Sequence, residues 1–310
     1  MKKHFPGYFT KTKEEIDKLW HEGIFVVDAN ILLNLYRYSD NTRYQFINAL
    51  KYIQERIWIS HHAAEEFLSR RLSVIGQQEK AYITTTKLIN DLQQSLTNNR
   101  QHPFISEDLT NESQLIFEKL INQLDKKKSE FARQIENDSI KTEISEIFDG
   151  HVGEAYGSDK LKEIYADGEK RYSMRIPPGY KDKEKSDSSR IYGDLVIWNQ
   201  ILSHANEIQK GVILITDDKK EDWWQIFEGK TIGPRPELIH EFLCKTKQEF
   251  HMYQADQFLD FSKKYTDQDI AETTLSEIRE ISNENITDDF QEQAFNETTQ
   301  NTDTPFDHDE

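Results

Sequence analysis

Two uninterrupted apolar runs, each ended by carboxylates, constrain the fold most: "GIFVVDAN" at residues 23–30 and "GVILITDD" at 211–218. A strand with one face in water alternates apolar and polar residues. A strand without alternation is covered on both faces, as in a parallel sheet packed between helices. "ERIWISHH" (55–62) reads as a second short strand, and "EFHMYQ" (249–254) as another. Helix-patterned segments lie between them: "ILLNLYRY", "AAEEFLSRR", "RIYGDLVIWNQILSHANEIQ" (190–209), "PELIHEFLCKT" (236–246) and "DQFLDFSKKY" (256–265). In the third of these, Ile191, Leu195, Trp198, Leu202 and Ala205 share one face. Strands alternating with helices predict an α/β domain around a parallel sheet.

From Gln77 to about Asp149 the pattern turns helical and polar, as in "ESQLIFEKLINQLDKKKSEFARQIEN", and predicts a helical insertion or arm spanning about 77–175. "RIPPGYKDKEKSDSS" (175–189) reads as a loop on its proline, glycine and charge. The body is expected to cover residues 1–265. Residues 266–310 hold 14 Asp and Glu against Arg279 alone, and so carry most of the net charge of −17. They read as an acidic, unstructured tail with at most a weak helix near "ETTLSEIREIS". The tail's charge therefore excludes little about the body's partners, although −17 overall speaks against non-specific coating of nucleic acid. Cys244 is the only cysteine, which rules out an internal disulfide or a cysteine-cluster zinc site and fits a reducing cytoplasm. No run approaches the roughly 20 apolar residues of a membrane span. The start "MKKHFPGYFTKTKEEIDKLW" lacks the apolar core of a signal peptide. A cytoplasmic protein is expected.

In an open parallel sheet, ligands gather beyond the carboxyl ends of the strands. Asp28 ends the first strand and Asp217 and Asp218 end the third. Glu65 and Glu66 lie in the first turns of the helix after the second strand, and Asp194 lies early in its own helix. Distant segments thus deliver carboxylates to one edge. Packed like charges raise one another's pKa unless a cation neutralises them. With no His or Cys in company, the donor set suits Mg²⁺ or Mn²⁺ rather than zinc. Such ions activate water and clamp the oxygens of a displacement at phosphorus. Each acid alone has a plainer reading, as a helix cap for Asp28 or Asp217/Asp218, or as a solvated helix face for Glu65 and Glu66. The ten histidines show no ligand spacing.

The same residues resemble the PIN-domain nucleases. "VVDANILLNLY", "WISHHAAEEF", "YGDLVIWNQIL" and "VILITDDKKEDWW" look like that superfamily's four motifs in order. "RIPPGYKDKEK", "YGDLVIW" and "TDDKKEDWW" resemble a PIN-like branch of bacterial proteins. The resemblance covers roughly residues 20–265. It implies a three-layer α/β/α fold with a central parallel sheet and a Mg²⁺- or Mn²⁺-dependent endonuclease that leaves 5′-phosphate and 3′-hydroxyl ends. The implied substrate is single-stranded RNA in preference to DNA. A protein partner in a toxin–antitoxin or phage-defence system fits the family context. Carried over residue by residue, Asp28, Glu66, Asp194 and Asp218 match the four acids, and Thr216 matches the hydroxyl of Thr-x-Asp. Asp217 is an extra carboxylate that can replace or supplement Asp218. The departure is size, because Glu66 and Asp194 lie 128 residues apart.

Around these acids, Asn30 is a helix cap or a substrate contact. Arg70 and Arg71 grip phosphate or pair with Glu66, and Arg70 shares its helix face. Tyr180 is placed to stack on a base. Lys181, Lys183 and Lys185 belong to a charged loop that can grip phosphate. Lys219 and Lys220 can offset the charge of the last acids, and Trp223 and Trp224 read as packing residues. Competing readings are a non-catalytic nucleic-acid- or protein-binding subunit, a DNA or flap nuclease, and a haloacid-dehalogenase-like phosphatase. The last wants an acid where Asn30 stands.

Overall fold

The computed structural model describes residues 1, 2, 4–97, 105–183, 191–266 and 269–283. Its strands are β1 (Ile24–Val27), β2 (Ile57–Trp58), β3 (Val212–Ile215), β4 (Trp224–Phe227), β5 (Lys230–Pro234) and β6 (Phe250–Tyr253). The central sheet has the order β2-β1-β3-β6, and every neighbouring pair is parallel. Val26 lies opposite Trp58 and Leu214, and Leu214 lies opposite Met252. Every residue of β1 and β3 is buried, as the unbroken apolar runs require. Each such side chain contributes about 2 kcal/mol by leaving water.

Helices cover both faces and make the fold a three-layer α/β/α domain. They are α1 (Lys13–Glu22), α2 (Ala29–Asn34), α3 (Asp40–Tyr52), α4 (His61–Thr97), α5 (Glu107–Arg133), α6 (Ser139–Ile147), α7 (Ser158–Ser173), α8 (Gly193–Ile208), α9 (Pro236–Thr246) and α10 (Ala255–Ser262). Thr12 and Glu15 close a capping box at the start of α1. Trp20 of α1 stacks on Phe258 of α10 at 5.8 Å and meets Phe25 of β1 edge-on at 4.9 Å. Trp198 of α8 packs on Phe250 at 5.1 Å, which ties that helix to β6. Among the described residues, no helix is long and apolar enough to cross a membrane.

The helical insertion is built on one long element. Helix α4 runs unbroken for 37 residues, about 55 Å at 1.5 Å per residue. Its buried residues are Ala63, Phe67, Val74 and Ile75, so the change of pattern at Gln77 marks where the helix leaves the body rather than where a new segment begins. Helix α5 returns along α4, with Tyr82 against Phe131 at 5.7 Å. Lys127 of α5 pairs with Asp40 of α3 at 2.8 Å. Helix α6 brings the chain back into the core through Ile140, Ile144 and Ile147. Buried Asp138 caps α6 by accepting from the Lys141 N–H at 2.8 Å, accepts from the Tyr36 hydroxyl at 2.7 Å and pairs with Arg71 at 3.3 Å.

The acidic C-terminal stretch carries the helix expected near "ETTLSEIREIS", and that helix is docked on the body. Residues 272–283 form a further helix, α11. Leu275 and Ile278 bury its apolar side, with Ile270 just before it. Glu277 accepts hydrogen bonds from the Ser39 and Thr42 hydroxyls at 2.8 and 2.6 Å, and so places a carboxylate at the N-terminus of α3. Arg279 pairs with Asp256 of α10 at 2.7 Å. Apolar residues at 275 and 278 share one helical face, and that face outweighs the segment's acidity. Residues 284–310 lie outside the described residues.

Candidate active site

The carboxyl ends of β1 and β3 meet side by side. Asp28 leaves β1 as the cap of α2, and its Oδ1 accepts from the Ala29 N–H at 2.8 Å. Its Oδ2 accepts from Asn30 Nδ2 at 2.8 Å and from the Thr216 hydroxyl at 2.7 Å. The Thr216 Oγ1 in turn accepts from the Asp218 N–H at 3.1 Å, and Asn30 Oδ1 accepts from the Asp217 N–H at 3.0 Å. The cap reading therefore holds for Asp28, whereas Asn30 lies inside α2 and bonds Asp28, Thr216 and the Asp217 N–H, so that the two side chains lock the ends of two strands together.

Glu66 stands in the second turn of α4, half-buried, and pairs with exposed Arg70 at 2.6 Å. Glu65 is exposed. Asp194 opens α8, and its Oδ2 accepts from the Trp223 indole N–H at 3.2 Å. Asp218 Oδ1 accepts from the Lys220 N–H at 2.8 Å. The Trp224 indole N–H reaches the Asp218 carbonyl. Asp28, Glu66, Asp194 and Asp218 are all half-buried, at the rim of the sheet. Burial, then the charge of Glu66, then those of Asp194 and Asp218 push the Asp28 carboxyl up to about 7 against the opposing Thr216 hydrogen bond. Four acids from four elements thus act on one another at this edge.

Lys220 is the cation that gathers part of this group. Its Nζ lies 2.9 Å from Asp218, 3.0 Å from Asp182 and 3.5 Å from Asp194. Burial alone would depress its pKa, but the three carboxylates outweigh that and hold it well above the usual lysine range. Among the described residues, no group of three His, Cys, Asp or Glu side chains is arranged to hold an ion. The reason is visible in the bonds: Asp194 and Asp218 are drawn to Lys220, and both Asp28 oxygens are taken by donors of the protein. The donor set is nonetheless the oxygen-only set that a hard divalent cation takes.

Asp217 has a different part from its neighbour. It is buried, its Oδ1 accepts from the Ala255 N–H and its Oδ2 from Asn34 Nδ2, both at 2.9 Å. It ties β3 to α2 and α10, away from the rim. Arg71 likewise turns to Asp138 of the insertion rather than to the acids. Lys219 bonds Asn283 of α11 at 2.6 Å. The Tyr180 hydroxyl accepts from Arg235 at 3.4 Å, Lys181 pairs with Glu221 at 3.5 Å, and Lys183 is exposed. Lys185 lies outside the described residues.

Three participants escaped the sequence reading. Asp182 and Asp222 are buried beside the cluster, at 3% and 0% exposure. Asp222 Oδ2 accepts from the Lys181 N–H at 2.9 Å, while its Oδ1 has no hydrogen-bond partner. Burial and then Asp194 push the Asp222 carboxyl up to about 7. Trp223, read as packing, donates to Asp194. The available signal was the motif text, since "GYKDK" and "DKKEDWW" contain all three. Gly179 explains the first of these: its φ is +87°, and a Cβ there would stand 3.0 Å from the Cβ of Asp194 and 2.3 Å from the Tyr172 hydroxyl. Only glycine lets that loop lie against the acid.

The sequence profile of a PIN-like domain matches residues 24–238, from β1 to the start of α9. The chain belongs to the PIN-like domain family. No curated protein and no solved structure matches it. The PIN-like match ends before β6, α10 and α11, so the fourth sheet strand and the docked C-terminal helix complete the domain beyond the matched region.

Proposed function

We propose that this PIN-like domain is a divalent-metal-dependent endonuclease that hydrolyses phosphodiester bonds of single-stranded RNA, in a toxin–antitoxin or phage-defence setting. One observation carries the reading: Asp28, at the end of β1, shares a rim with Glu66, Asp194 and Asp218, and burial, then the charges of those acids, raises its carboxyl to about 7. Such a cluster is costly unless a cation joins it. Asp28, Glu66, Asp194 and Asp218 would hold the ion. Bound there, Mg²⁺ or Mn²⁺ would activate water and neutralise the negative charge that develops at phosphorus.

The chain's own residues prepare that site. Thr216 and Asn30 fix Asp28 through one oxygen and hold β1 and β3 in register at the rim. Trp223 sets the Asp194 carboxylate. Arg70, exposed beside Glu66, is placed to meet a phosphate that approaches the rim. Labelled single-stranded RNA and DNA, each with Mn²⁺ or with EDTA, test the reading on wild type and Asp28→Asn. Cleavage of RNA by wild type with Mn²⁺ alone is expected. Equal cleavage by Asp28→Asn, or in EDTA, refutes it.

A further inference from the structure

Lys220 lies deeper than a substrate-gripping lysine needs to. Its ammonium is within 3.5 Å of three carboxylates that come from three separate segments: Asp182 in the turn after Gly179, Asp194 at the start of α8 and Asp218 after β3. Two of these, Asp194 and Asp218, belong to the proposed metal set. Asp182 does not, and it is almost wholly buried. Behind them, buried Asp222 leaves one oxygen without a partner. The other available anchors are fixed as well: Trp223 holds Asp194 and the Lys220 N–H holds Asp218. The lysine is therefore bonded to Asp218 twice, through backbone and ammonium, and cannot leave without releasing a turn.

We propose that the Lys220 ammonium stands in place of a second divalent ion and positions Asp194 and Asp218 for a single one. Nucleases of phosphodiesters often use two ions about 4 Å apart to clamp both reacting oxygens. Here the Asp182–Asp194–Asp218 side of the cluster already contains a cation. A dication placed beside an ammonium would be repelled at short range in a poorly screened site. The side where Asp28 and Glu66 lie takes one ion. Lys220 is a positioning residue in this scheme: it touches the carboxylates and not the phosphate. The inference rests on the metal-dependent reading above, and it concerns the number of ions rather than their presence.

Mn²⁺ stoichiometry distinguishes the two. Free and bound Mn²⁺ are counted by electron paramagnetic resonance on the full chain without substrate, for wild type, Lys220→Arg and Lys220→Met. Wild type and Lys220→Arg are expected to bind about one ion per chain, and Lys220→Met about two, because the vacated carboxylates take a cation. Two ions in wild type overturn the proposal while leaving the nuclease reading in place. One ion in both wild type and a folded Lys220→Met, checked by circular dichroism, also overturns it. No bound Mn²⁺ in any variant overturns this proposal and the metal-dependent reading together. If Lys220→Met fails to fold, Lys220→Gln replaces it, and the wild-type count still decides.

Discussion

The Thr216 hydroxyl donates to Asp28 at 2.7 Å across 188 residues of sequence, and the same oxygen accepts from the Asp218 N–H at 3.1 Å. One side chain thus sets both a carboxylate of the first strand and the backbone of the third. Replacing it with valine keeps the shape and removes both bonds, together with the one the hydroxyl accepts from Asn30 Nδ2 at 3.1 Å. Thr216→Val is expected to weaken Mn²⁺ binding about tenfold, the equivalent of a hydrogen bond to a charged group. Isothermal titration at pH 7.5 measures this; unchanged affinity would mean that Asp28 needs no such support.

Asp28→Asn and Asp218→Asn are expected to abolish cleavage with the fold intact. Asp28→Asn also removes one of several like charges from a crowded rim. In EDTA at pH 8 its melting midpoint should rise by about 3 °C. A fall instead would show that the carboxylate stabilises the metal-free fold.

The pH dependence follows from two carboxyls. Asp28 and Asp222 both move from an ordinary 3.8 up to about 7, chiefly through burial. Between about 4 and 7 the folded chain holds protons that the unfolded chain has lost. Stability of the metal-free protein therefore falls as pH rises through that window and levels off above it. Melts in EDTA from pH 5 to 8 should show the fall, and Asp28→Asn should flatten it. Saturating Mn²⁺ should oppose it, because the ion displaces a proton and binds more tightly as pH rises. A midpoint that climbs with pH in EDTA contradicts the assignment.

Asp217 and Asp218 are adjacent but should respond differently. Asp217→Ala strips the Ala255 N–H and Asn34 of their acceptor and should cost about 2 kcal/mol of stability, with Mn²⁺ affinity nearly unchanged. Asp218→Ala should weaken Mn²⁺ binding strongly, and it also costs stability because the Lys220 N–H and ammonium lose an acceptor. Urea unfolding beside Mn²⁺ titration separates the two, and equal loss of affinity in both would make Asp217 a ligand.

Much of the fold was legible because its central strands are continuous apolar runs, and helix 236–246 is bounded as read, with proline at its start. The β4–β5 hairpin was not legible. Its turn is Glu228–Gly229, both with positive φ, and glutamate is not the residue that signals such a turn. The rim acids could be found from their places at the ends of strands and helices. Their partners could not. Residues leaving a strand point to alternate sides, so Asp217 turns inward while Asp218 faces the rim. Lys219 and Lys220 diverge in the same way, one to α11 and one into the cluster. Asp182 and Asp222 were passed over as members of charged loops, where only the packing of Gly179 and Trp223 reveals their burial.

Glu66 rides near the foot of α4, whose far end stands about 30 Å beyond the body. The shaft pairs α4 with the returning α5, and α4 has one glycine, Gly76, just where it clears the core. Whatever grasps that end applies torque at the root, where Ala63 and Phe67 seat the helix in the core on either side of the glutamate.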